Sequence, residues 1–145
     1  MAGEQKVFSP GFDRLSIRFR GWNLAMVICY DIRFPAWCRN VLNQYDALIA
    51  VANWPQVRVD AWNKLLVARA IENEAYVLGV DCRGTDTGGF VYDGSSAVID
   101  YKGRTMADKS SDDSPFIYAS LDMDALLRFR AKFPAWQDAD NFRLL

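Results

Sequence analysis

Cys29 is the residue best placed to do chemistry in this sequence. It closes the apolar run Leu24-Ala25-Met26-Val27-Ile28 and is followed by the polar stretch Tyr30-Asp31-Ile32-Arg33, before Phe34-Pro35 opens a new segment. A strand that ends in a thiol and turns into a helix offers backbone N–H donors to an oxyanion and a helix dipole that favours thiolate. The same position suits a packed thiol, because cysteine is among the most buried residue types. Position alone leaves both readings open. Cys38 falls inside the following segment and Cys82 at a later strand end, and packing is the expectation for both.

The chain contains no histidine. Ser-His-Asp and Cys-His catalysis, His-ligated zinc and an imidazole base are therefore unavailable within it. Acid–base work has to come from carboxylate, Lys, Tyr or Cys, and neither a metal nor a cofactor is expected. Asn53-Trp54-Pro55 directly follows a second apolar run, where loops at the carboxyl ends of parallel strands shape ligand crevices. The amide of Asn53 and an aromatic wall from Trp54 would suit a small polar substrate, although Trp54 also suits a core cap. Arg69, Glu72 and Asn73 lie within about one helical turn of one another, and a solvated charge face is the ordinary expectation for them. The glycine-rich stretch 84–89 lacks both the Gly-Lys-Ser/Thr of a phosphate cradle and the Gly-x-Gly-x-x-Gly spacing, so a nucleotide site has little support.

The elements that must position these residues follow from periodicity. The runs 24–29 and Ala47–Ala52 are continuous and apolar, as in strands buried on both faces. Pro35 to Gln44 has the length of a helical crossover between them, with proline in the tolerated first turn. Apolar residues at Val59, Trp62, Leu66 and Ala70 predict an amphipathic helix from Arg58 to Glu74, and Tyr76 to Asp81 predicts a third strand. Beyond Arg83 the pattern becomes an antiparallel meander, with turns at Asp93-Gly94 and Lys102-Gly103 and strands at 96–99 and 116–121. Met123 to Phe133 reads as a short helix and the rest as a tail. The fold class is α/β with a mixed sheet.

At 145 residues, 51% hydrophobic and 24% charged, the chain has the size and balance of a single domain. A net charge of −1 from evenly spread residues argues against a nucleic-acid partner. No run approaches the roughly 18 apolar residues of a membrane span, so no membrane partner is expected. The start shows no basic segment ahead of an apolar core. With three cysteines, too few and odd in number for a disulfide framework, the expected location is the cytoplasm.

Three ordered blocks carry a resemblance. Val27-Ile28-Cys29-Tyr30-Asp31-Ile32-Arg33-Phe34-Pro35, Ala50-Val51-Ala52-Asn53-Trp54-Pro55 and Ala68-Arg69-Ala70-Ile71-Glu72-Asn73 with Tyr76-Val77 resemble the nitrilase, or carbon–nitrogen hydrolase, superfamily. The closing segment 132–140 looks like its bacterial ω-amidase branch. The resemblance implies an α-β-β-α sandwich and a Cys nucleophile served by Glu and Lys. It assigns nucleophilic attack to Cys29 and an oxyanion-stabilising backbone N–H to Tyr30; Asn53, Trp54 and Arg33 are the expected substrate contacts. It implies a small-molecule amide substrate, a 2-oxo acid amide such as 2-oxoglutaramate or 2-oxosuccinamate, and a homo-oligomer whose contacts include Trp136 and Phe142. In the family the general-base Glu and the Lys both precede the cysteine, whereas Glu4 looks like the additional glutamate near the active site. Residues 1–145 then correspond to the C-terminal part of the family domain, truncated at its N-terminus. The alternative is a catalytically silent fragment or interaction subunit that lacks the Glu and Lys.

Overall fold

The computed structural model describes Gly3, residues 6–109, Ser114 and residues 116–140. Glu4 and Phe142 lie outside them. The chain builds a six-stranded sheet in the order β1-β2-β3-β4-β7-β8. Its centre is β2 (Trp22–Ile28), β3 (Ala47–Ala52) and β4 (Tyr76–Asp81), paired in parallel. On one side β2 pairs antiparallel with β1 (Leu15–Phe19), and on the other β4 pairs antiparallel with β7 (Ala97–Ile99), which pairs with β8 (Thr105–Asp108). A separate hairpin, β5 (Arg83–Thr85) with β6 (Val91–Asp93), rises from the carboxyl end of β4. The expected mixed sheet is present.

β1 is not among the elements expected from the sequence, although Leu15-Ser16-Ile17-Arg18-Phe19 alternates apolar and polar residues as a strand does. Its hairpin with β2 turns at Arg20 and Gly21, both with positive φ (48° and 86°). This is the twist that a two-residue turn between antiparallel strands requires, with arginine where asparagine or aspartate is usual.

Helix α2 (Val59–Asn73) lies across one face of the sheet, with Trp62, Leu66 and Ala70 fully buried. Its approach is set by Gly79: a Cβ there would stand 2.5 Å from Leu66 Cδ1 and 2.9 Å from the Trp62 ring, so the helix rests directly on the β4 backbone. Helix α3 (Met123–Lys132) starts with Asp122, whose carboxylate accepts the Ala125 N–H at 2.9 Å. It packs with Leu126 against Ala47, Tyr76 and Tyr101 at one end of the opposite face. Buried Arg130 fastens it there, donating to Asp46 Oδ1 (3.0 Å), the Tyr45 carbonyl (2.8 Å) and the Glu74 carbonyl (2.8 Å).

Two expected elements differ. The crossover helix is only α1 (Pro35–Cys38), followed by a tight turn at Val41–Asn43 in which Leu42 and Asn43 take positive φ. The Asn40 side chain ends it by donating to the Tyr45 carbonyl and accepting the Tyr45 N–H, bonds that compete with helix continuation. Residues 116–121 form no strand. Phe116 and Tyr118 are exposed, and no sheet edge meets them. Asp93-Gly94 ends the β5–β6 hairpin and leads into the main sheet instead of closing a hairpin of its own. No helix among the described residues is long and apolar enough to cross a membrane.

Candidate active site

Cys29 sits one residue past the carboxyl end of β2 with φ of +44°. Non-glycine residues reach this left-handed region only when the surroundings hold them there, and such strain clusters at functional sites. The surroundings here are explicit. Cys29–Arg33 forms a single 3-10 turn in which the Asp31 carboxylate accepts the Ile28 N–H at 3.0 Å and the Asp31 carbonyl accepts the Phe34 N–H at 2.9 Å. Arg69 then reaches from α2 to donate to the Ile32 carbonyl at 2.9 Å and to Glu72 at 2.8 Å. Asn73 accepts the Asn40 N–H at 2.8 Å. Arg69 and Asn73 are therefore buried clamps on the Cys29 turn and on the segment after α1, and the expectation of a solvated charge face is corrected for both. Their partners lie more than 30 residues away in sequence, which is why helical spacing could not show them.

The thiol is half-buried, and its sulfur lies 3.9 Å from the Asn53 carbonyl. Burial pushes the Cys29 thiol up from its ordinary value, and the charge of Asp81 adds to this. Backbone hydrogen bonds from Asn53 and Tyr30 and the positive charge of Arg58 pull the other way. Cys29 opens into a shallow cleft of about 460 Å³ across the carboxyl ends of β2, β3 and β4, lined by Asn53, Asp81 and Cys82 together with Ile28, Val51 and Val80. Carboxyl ends of parallel strands are where such folds place ligands.

The other expected residues gather nearby with unequal roles. The Tyr30 backbone follows the thiol directly, while its ring, exposed, stands edge-on to Phe34. Asn53 is exposed at the rim. Trp54 is only 3% exposed: its ring packs on Trp62 at 5.2 Å, its indole N–H donates to the Arg58 carbonyl, and it does not line the cleft. Its outer service is to Arg33, whose guanidinium stacks 4.8 Å from the Trp54 ring centroid and 5.8 Å from that of Tyr30. Cys38 is a buried core thiol, as expected, while Cys82 lines the cleft. Among the described residues no cluster of His, Cys, Asp and Glu could hold a metal. Asp81 and Arg58 went unnoticed in the sequence, although the strand-end position that singles out Asn53 applies equally to Asp81.

A strained thiol thus stands at the end of a central parallel strand, with backbone amides beside it and no histidine in the chain. The family model for carbon-nitrogen hydrolase matches residues 3–131, and the chain belongs to this family. It is 48% identical over 144 residues to omega-amidase YafV of Escherichia coli K12, covering 99% of this chain and 56% of that protein. It is 35% identical over 136 residues to 2-oxoglutaramate amidase of Bacillus subtilis 168, covering 93% and 52%. The crystal structure of XC1258 from Xanthomonas campestris, a CN-hydrolase superfamily protein, superposes with a TM-score of 0.91 at 37% identity, covering 98% of this chain and 56% of that one. The chain spans little more than half the length of these relatives.

Proposed function

We propose that residues 1–145 supply the nucleophile-bearing half of an amide-hydrolysing enzyme of the ω-amidase type, acting in the cytoplasm as a homo-oligomer on small 2-oxo acid amides such as 2-oxoglutaramate or 2-oxosuccinamate. The observation that carries the reading is Cys29 itself, held at positive φ at the mouth of a cleft by clamps from α2. Its sulfur attacks the amide carbon, and the carbonyl oxygen becomes an oxyanion facing the Tyr30 N–H. The C–N bond breaks, the nitrogen takes up a proton and leaves as ammonia, and water cleaves the thioester to release the carboxylate and restore the thiol. Asn53 and Arg33 are the proposed substrate contacts, with Trp54 acting behind Arg33. A guanidinium matches the carboxylate of a 2-oxo acid.

The general base and the ammonium group that complete this chemistry by family resemblance are proposed to come from a preceding half, with Glu4 beside them. The same half would cover the apolar row Ile28, Val51 and Val80. A second reading is a silent fragment or interaction subunit; burial, which pushes the Cys29 thiol up from its ordinary value, supports it. Ammonia release from 2-oxoglutaramate separates the two. The expected result is no turnover by this chain alone, and turnover, lost in Cys29→Ala, when a family N-terminal half is supplied. General acid–base groups contribute about 10²–10⁴-fold, so their return is easily read. A supplied half that docks without restoring turnover would favour the silent subunit.

A further inference from the structure

Asp81 takes no part in the reaction just described, yet it forms part of the cleft that holds Cys29. It ends β4, is only 7% exposed, and its Oδ1 accepts the Trp54 N–H at 2.7 Å. Ser96 secures its backbone: the hydroxyl accepts the Asp81 N–H at 2.9 Å and donates to the Asp81 carbonyl at 3.3 Å. Oδ2 is buried without a well-formed hydrogen bond, although the Ser95 backbone lies near enough to ease its charge. Such a group is costly to bury, and its cost calls for a role.

The Trp54 N–H that Asp81 holds belongs to the residue after Asn53, whose carbonyl faces the Cys29 sulfur. The charged and titratable groups that act on Cys29 and Asp81 come from four places. Cys29 follows β2, Arg58 stands in the turn after β3, Cys82 is beside Asp81, and Asp93 lies on β6. Arg58 brings positive charge to Cys29.

We infer that Asp81 is a positioning residue for Cys29: it fixes the Asn53 carbonyl against the sulfur through the Trp54 N–H, and it puts a carboxylate on the floor of the cleft against which a thiolate must form. The inference rests on Cys29 being the nucleophile. Like charges at close range disfavour each other's ionised form. The chain thereby keeps its nucleophile as a thiol.

Asp81→Asn tests this directly, because it preserves the size and the acceptor for Trp54 while removing the charge. Iodoacetamide labelling of the purified chain against pH, read at the Cys29 peptide by mass spectrometry, is expected to show the midpoint moving down by about half a pH unit or more with the melt little changed. Asp81→Ser, smaller and also uncharged, should move it the same way and serves if the amide is not tolerated. A midpoint unchanged or raised in a folded variant would overturn the role. Loss of folding in both would also overturn it, making Asp81 part of the scaffold alone. Labelling is read on the thiol, not on turnover. Undiminished amide hydrolysis by Cys29→Ala in the completed enzyme would instead remove the nucleophile reading while leaving the labelling result intact.

Discussion

On one face of the central sheet, Leu48, Ala50 and Val77 lie under α2 with almost no exposure; on the other, Ile28, Val51 and Val80 stand in register across three strands at 68%, 45% and 49% exposure. The same strands supply both rows, and both rows are apolar. The helix-covered face owes its closure to size: glycine at 79 lets Trp62 and Leu66 reach the strand. The opposite face is covered only at its far end, where α3 is pinned by Arg130. Parallel strands are normally buried on both sides, whereas the row beside Cys29 stands open, and the two faces should answer differently to substitution.

The largest difference is expected at Trp62. Trp62→Ala removes the fully buried ring that packs on Trp54 and donates its N–H to the Ser95 carbonyl. It should cost about 3–5 kcal/mol in denaturant unfolding, enough to unfold a marginal domain. A loss under about 1 kcal/mol would mean that the α2 face is not the core. Gly79→Ala, on the same face, should cost about 1–3 kcal/mol, because three side-chain atoms within 3 Å of the new methyl must move inside a packed interior.

What was legible in the sequence follows the same division. β3 and β4 were readable to the residue, and α2 and α3 within one, because continuous β-branched runs and three-four spacing record burial directly. The placement of Cys29 at a strand end was legible because it closes such a run. The rest depended on partners far along the chain. Arg69 and Asn73 look like any polar helix positions until Ile32 and Asn40 are brought against them. Residues 116–121 have the aromatic content of a strand but no neighbour to pair with. The aromatic wall expected of Trp54 turned inward because Trp62 offers its ring a dry partner and Arg58 offers its N–H an acceptor.

On the open face the expected effect on stability is small and the effect on association is not. Val51→Thr keeps a β-branched side chain on a half-exposed position and should change unfolding by no more than about 0.5 kcal/mol. An exposed apolar row beside unpaired sheet edges promotes self-association, so light scattering of the dilute chain should show dimers or larger species. Combined Val51→Thr and Val80→Thr should shift it toward monomer. A monodisperse monomer before any substitution would show that the open face needs no cover, and would count against the half-enzyme reading.

The smallest effect distinguishes the two ends of β4 through its buried carboxyls. Burial pushes both Glu74, just ahead of the strand, and Asp81, at its carboxyl end, up from their ordinary values. A carboxyl raised in the folded state binds its proton more tightly there than in the unfolded chain, so it favours folding while protonated. That contribution is fully present below the unfolded value, near 4.5 for Glu74 and 3.8 for Asp81, and is lost as pH rises through the raised folded value. Each residue alone therefore makes the chain slightly more stable as pH falls from neutral toward that window. Glu74→Gln and Asp81→Asn should each flatten the pH dependence of the thermal midpoint on the acid side. Only Asp81→Asn should also move the labelling midpoint of Cys29, because Glu74 spends its carboxylate on the Ala135 N–H and its carbonyl on Arg130, at the end of the sheet away from the cleft. An equal response of the thiol to both substitutions would mean that the net charge of the chain, not the position of Asp81, sets the state of Cys29.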